Sequence, residues 1–175
     1  MASKSSTTTT CTAALGAVAL MLINATPTIA QTASPVRTER NISLALANDI
    51  ASATVAACAA SGYAVAATVV DRAGTVRAVQ RADNAGPHTL AASQQKAFTS
   101  ASAKNTTLAM MENAQKNPAA ANLVYIPGFL LVGGGVPIKV GNEVIGAVGV
   151  GGAPGGHLDE QCAATALDKV KDQLK

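Results

Sequence analysis

Two histidines, His88 and His157, are the chain's only imidazoles, and each stands beside a Gly-Pro or Gly-Gly pair. That placement, in loops or at helix starts, predicts that both are accessible. Neither has a second histidine three or four residues away or a cysteine pair nearby, so a structural zinc site is unsupported. No Cys-x-x-Cys-His occurs, which excludes covalent haem attachment. A single axial ligand to a haem iron needs only one such residue, and the oxygens of Thr106, Thr107 and Tyr63 are weaker donors.

Charge is sparse and unevenly spread. Asp71, Arg72, Arg81, Asp83, Asn84, His88 and Lys96 gather in one short stretch of a chain that is only 13% charged. They read either as a surface ion-pair network or as a polar rim for a carboxylate-bearing ligand, with Arg81 or Lys96 as counter-charge. Asp71, Asp83 and His88 near Lys96 are also acid–base groups that an enzyme of small-molecule catabolism would use. No Gly-x-Ser-x-Gly turn is present to expose a nucleophile.

The glycines from Gly151 to Gly156 separate an apolar run from a helical one, as phosphate cradles do. Yet no Gly-Lys-Ser/Thr follows, and Pro154 falls where a dinucleotide fingerprint needs its third glycine. Asp159 and Glu160, in the first helical turn, are expected to satisfy the helix end themselves and repel phosphate. These glycines are read as serving the turn and close packing, or as lining a ligand cleft. Cys58, in mid-helix, is not expected to be reactive.

The elements that must position these groups follow from periodicity and turn residues. Residues 41–60 carry Ile42, Leu46, Ile50 and Ala53 at helical spacing, with Ser43 as N-cap and Gly62 as stop. Residues 64–70 and 75–80 read as a hairpin about Asp71–Gly74, and His88 to Lys104 as a second helix. A short third helix starts at Thr106 or Thr107. Residues 129–132, 136–140 and 143–150 read as three further strands, and 158–174 as a closing helix. Tight turns make the strand pairs antiparallel. The expectation is an α+β fold with a central five-stranded antiparallel sheet flanked by helices.

Composition narrows the partners. With 13 Lys+Arg against 10 Asp+Glu, no basic run and four aromatic residues, nucleic-acid binding is nearly excluded. The 38 alanines each bury little area, about 25 cal/mol per Å², so subunit association is expected and the chain reads as a homo-oligomer. Residues 1–30 have the layout of a secretory signal peptide: a polar start, an apolar run from Ala13 to Ile23, and Thr28 and Ala30 at a cleavage site. Residues 31–40 read as a tether and 41–175 as the domain. No second membrane segment is expected, and the product is read as exported, to the periplasm or beyond the cell. There, Cys58 and Cys162 either pair or remain two small buried residues.

Two stretches carry a family resemblance. One runs Val70-Asp71-Arg72-Ala73-Gly74, then Arg81-Ala82-Asp83-Asn84-Ala85-Gly86-Pro87, then Lys96-Ala97-Phe98-Thr99; the other runs from Gly133 to Cys162. Together they resemble the GlcG/HbpS family of haem-binding or haem-degrading domains, a domain also found at the C-terminus of PduO-type corrinoid adenosyltransferases. Asn84 departs from the glycine many relatives carry there. The resemblance covers roughly residues 41–174 and implies a profilin-like fold, homo-oligomers and, in exported members, haem or iron binding. On this reading the chain sequesters or senses haem or iron without catalysis of its own. Arg72, Arg81 or Lys96 would hold a propionate; by its chemistry and position His88 would be the axial ligand, with His157 second, and Thr107 would be a further cofactor contact. The rival expectation is an accessory protein or enzyme of small-molecule catabolism built on Asp71, Asp83, His88 and Lys96.

Overall fold

Ser43 opens the first helix, α1 (Leu44–Ala60), by accepting a hydrogen bond from the Leu46 N–H at 3.2 Å. One of the amides that a helix start leaves orphaned is thereby satisfied. The chain leaves α1 through Gly62 at φ +81°. The computed structural model describes residues 35–175, of which 38–175 form one compact unit. The signal peptide read over residues 1–30 and the tether up to residue 34 lie outside the described residues.

A hairpin follows, β1 (Ala66–Asp71) and β2 (Val76–Arg81). Asp71 closes its turn: Oδ1 accepts from the N–H groups of Ala73 at 2.9 Å and Thr75 at 3.0 Å. Next come α2 (His88–Ala103), α3 (Thr107–Lys116), a short α4 (Pro118–Ala121) and a 3-10 turn over Asn122–Tyr125. A second hairpin, β3 (Gly135–Val140) and β4 (Glu143–Gly151), leads into α5 (Gly156–Lys169). Among the described residues no helix is long and apolar enough to cross a membrane.

The strands lie in the order β2-β1-β4-β3, each pair antiparallel. The α+β class and the flanking helices are as expected, but among the described residues the sheet has four strands rather than five. The segment 129–132, expected as a strand, pairs with none. Side-chain hydroxyls take its backbone groups instead: the Leu130 N–H donates to Thr99 Oγ1, and Thr107 Oγ1 donates to the Val132 carbonyl, both at 2.8 Å. An apolar run signals burial, and it becomes a strand only where a ladder receives its backbone.

The two faces of the sheet differ. β1 and β4, the central strands, are buried on both sides. Val69 and Val148 face an apolar core closed by Leu46 and Ile50 of α1 and Ala163 of α5. Val70 and Ala147 face Ala97 and Ala101 of α2. On this second side the packing is at backbone distance: a Cβ on Gly149 would lie 2.0 Å from the Ser93 carbonyl oxygen, and one on Gly135 2.4 Å from that of Lys96. Thr68 and Ser93 share a buried hydroxyl–hydroxyl hydrogen bond of 2.8 Å there. The α2 layer is small and polar where the α1–α5 layer is apolar.

Cys58 of α1 and Cys162 of α5 form a disulfide, with Cα atoms 5.3 Å apart across 104 residues of sequence. Of the two alternatives open in the sequence, pairing is the one realised, because the helices carrying them lie side by side on one face of the sheet. Closing so long a loop restricts the unfolded chain by about 2–4 kcal/mol. A Cys58→Ser, Cys162→Ser double variant is therefore expected to melt on the order of 10 °C lower. Thermal unfolding followed by circular dichroism checks this, and an unchanged midpoint would show that the bond adds nothing.

Candidate functional site

α2 presents His88, Ala92 and Lys96 along one stripe, four residues apart, and these line one wall of an open cleft. Leu130 and Val132 form a second wall, and the loop from Gly151 to Gly156 a third. The cleft measures about 340 Å³. Its walls are held by particular contacts. Thr107 Oγ1 donates to the Val132 carbonyl and accepts from the Gly135 N–H, both at 2.8 Å, which pins the second wall from behind. The two glycine turns meet backbone to backbone: a Cβ on Gly156 would sit 2.7 Å from the Gly133 carbonyl oxygen.

The cleft rests on a buried ion pair. Lys96 Nζ donates to Asp159 Oδ2 and to the Val150 carbonyl, each at 2.8 Å. Asp159 Oδ1 accepts from the Ala153 N–H at 3.0 Å. Both residues are only 3% exposed. Burial pushes the Asp159 carboxyl above its ordinary range, opposed by the Lys96 ammonium and the Ala153 N–H. Gly134, at φ +122°, leaves room for the pair, since a Cβ there would fall 2.7 Å from the Asp159 Cβ. This one constellation fastens α2, the end of β4, the glycine loop and α5 together.

Asp159 thus departs from its expected role at the helix end. It turns inward to the ammonium, because a buried cation requires a counter-charge. Glu160 reaches away as well, its Oε2 accepting from the Leu108 N–H at the start of α3 at 3.3 Å. Of the two readings of the glycines, close packing is seen at Gly133, Gly152 and Gly156, and the loop also lines the cleft.

The other expected site residues are dispersed. His88 is exposed at the cleft, its ring lying over Gly86, where a Cβ would come within 2.8 Å of Cε1. His157 is exposed too, its ring over Gly155, one residue beyond the lining Gly156. Arg81 donates to the Ala85 carbonyl and braces the turn that precedes α2. Asp83 lies in a separate shallow groove with Tyr63 and Asn84. Arg72 is at the far end of the sheet: β1 runs antiparallel to β4 so that Ala66 opposes Gly151 and Asp71 opposes Gly146, a separation of roughly 17 Å at about 3.3 Å per residue. There Arg72 pairs with Glu143 at 2.9 Å and Glu39 at 3.2 Å. Hydrogen bonds from Arg40 and Arg72 hold the Glu143 carboxyl below the usual carboxylate range. Arg72 and Asp71 are therefore not brought to the cleft, Thr107 stands behind its wall with its hydroxyl engaged, and the ammonium of Lys96 already has its carboxylate. Asp71, Asp83, His88 and Lys96 do not form one acid–base site. Among the described residues no group of three or more His, Cys, Asp or Glu side chains could hold a metal ion.

Asp159, Thr99 and the second wall were not legible as site residues. One signal existed for Lys96: Thr89, Ser93, Lys96 and Ser100 recur at i, i+4, i+7 and i+11, the spacing of a buried helical face. Because that face is made of hydroxyls rather than aliphatics, it does not register as a core stripe.

The chain is similar to known proteins over nearly all of its described length. The family described as "Haem degrading protein HbpS-like" matches residues 42–168. Protein GlcG of Escherichia coli strain K12 is 34% identical over 109 residues, which span 60% of this chain and 80% of GlcG. A double mutant of HbpS from Streptomyces reticuli superposes with a TM-score of 0.73 at 32% identity, covering 83% of this chain and 98% of that one. PduOC, solved as its haem complex, superposes with a TM-score of 0.65 over 73% of this chain and 94% of its own; at 21% identity this likeness shows the fold alone.

Proposed function

The chain belongs to the HbpS-like family, and from that premise we propose that it binds haem at the cleft beside α2, without catalysis of its own, as an exported homo-oligomer that sequesters or senses haem or iron. The observation that carries this reading is His88, an accessible imidazole at the rim of a cleft whose walls include Ala92, Leu130 and Val132. Haem supplies a flat apolar ring and an iron with an axial position for one neutral nitrogen donor. His88 is the axial ligand, and His157, at the start of α5, the alternative donor. Leu130 and Val132 take the apolar edge of the ring. A propionate is met by Arg81, which borders the turn leading to His88, or by the amides of the glycine loop, since the Lys96 charge is already neutralised.

The test is a haem titration of the chain from residue 31 onward, followed at the Soret band, with His88→Ala and His157→Ala in parallel. The wild type is expected to give a saturable, red-shifted band. His88→Ala is expected to weaken binding on the order of tenfold or more, and His157→Ala to leave it intact. A band that survives in both variants overturns His88 as ligand. A folded protein with no saturable band overturns haem binding altogether.

A further inference from the structure

α5 is tied down at two points one turn apart. Asp159 reaches Lys96 of α2, and three residues on, Cys162 is bonded to Cys58 of α1. A second cavity, about 270 Å³, opens between the C-terminal end of α1 and α5, and Cys162 forms part of its wall. Cys162 is 5% exposed, whereas Cys58 is fully buried and does not border the cavity. Its lining includes the polar residues Ser61, Tyr63, Gln161 and Thr165. Among the described residues that line it, Lys169 is the one with a formal charge, so an anion meets attraction there.

We propose that this cavity is a thiol–disulfide exchange site, in which an anionic low-molecular-weight thiol opens the Cys58–Cys162 bond and releases α5 from α1. The incoming thiolate sulfur bonds to Cys162 Sγ as the Cys58–Cys162 bond breaks. The electron pair leaves on Cys58 Sγ, which takes a proton from water. A second thiolate attacks the incoming sulfur, frees Cys162 as its thiolate and departs as the external disulfide. Two external thiols thereby deliver two electrons to the cystine. Attack falls on Cys162 because access and an electropositive approach decide which sulfur reacts.

α5 also carries Gly156 and Asp159 of the cleft, so opening the bond leaves that wall held by non-covalent contacts alone. This consequence rests on the haem reading for its readout; the exchange itself does not.

The exchange is tested on the oxidised, ligand-free chain from residue 31 onward, whose cysteines are Cys58 and Cys162, with reduced glutathione, without denaturant, by acid quenching and peptide mass mapping. The expected result is a glutathionyl adduct on Cys162, free Cys58, and native circular dichroism. Lys169→Glu is expected to slow glutathione about fivefold while leaving the cationic thiol cysteamine at least as fast. Adducts shared equally by the two cysteines, a glutathione rate indifferent to Lys169→Glu, or reduction only at the rate of global unfolding would each overturn the site. In the second arm, reduction is expected to weaken haem affinity about tenfold. Equal affinities overturn the coupling to the cleft. Failure of the oxidised protein to bind haem overturns the haem reading and leaves the exchange result standing.

Discussion

Asp159→Asn is expected to lower the stability of the fold by about 3–5 kcal/mol, far more than its single changed atom suggests. The substitution keeps the shape of the side chain and an oxygen for the Ala153 N–H. It removes the carboxylate paired with the Lys96 ammonium, which is 3% exposed. A cation so placed has no solvent to replace its partner. The ionised form then has to be desolvated without compensation, or the loop has to open and admit water. Adding Lys96→Met removes the orphaned charge and is expected to recover most of the loss. The residue of the effect is the Val150 carbonyl, left without its donor, at about 1–3 kcal/mol. The exposed pair Lys171–Asp168 provides the contrast, since removing it should cost no more than about 1 kcal/mol. Urea unfolding of these three variants beside the wild type measures all of this. A double variant as unstable as Asp159→Asn alone would mean that packing, not charge, is what the pair supplies.

The second large effect is expected at Gly149. An alanine Cβ there would stand 2.0 Å from the Ser93 carbonyl oxygen and 2.4 Å from the Ala97 nitrogen. Both are backbone atoms in the middle of α2, so no rotamer change relieves the contact and the whole helix has to move away from β4. Overpacking of side chains alone costs about 1–3 kcal/mol, and displacing a helix backbone should exceed that range, against a total stability of about 5–15 kcal/mol. Gly149→Ala is therefore expected either to accumulate as insoluble protein or to melt more than about 10 °C below the wild type. Because α2 carries His88, Ala92 and Lys96, the same shift distorts the cleft. Gly141→Ala is the control: it keeps a positive φ of +59° but has nothing within 4 Å of the added Cβ, so the cost is the backbone strain of about 1–2 kcal/mol. Equal melting temperatures for the two variants would show that α2 is not held at backbone distance from the sheet.

Much of this arrangement follows from local rules. Ser43 before a helical repeat, Gly62 after it, and the Asp71–Gly74 turn between two short β-branched runs each specify their own geometry within a few residues, and each stands where those rules put it. The α+β class follows in turn, as does the antiparallel pairing within each hairpin, β1–β2 and β3–β4, because a tight turn leaves a strand no other way to return. His88 and the glycine loop were legible for the same reason: Gly-Pro and Gly-Gly neighbours announce an exposed, close-packed bend whatever the rest of the chain does.

Tertiary structure alone decided what the long-range partners were. Residues 129–132 carry a strand's composition, but hydroxyls on two helices, Thr99 and Thr107, claim their hydrogen bonds, and nothing within those four residues records that. Lys96 looks like any basic residue in a polar cluster until Asp159, 63 residues later, is brought against it. Cys58 and Cys162 were compatible with pairing or with separate burial, and the choice came from α1 and α5 sharing one face of the sheet. Charge, hydrogen bonding and sulfur chemistry act over a few ångströms, whereas the residues that satisfy them are separated along the chain by distances that only the completed fold removes.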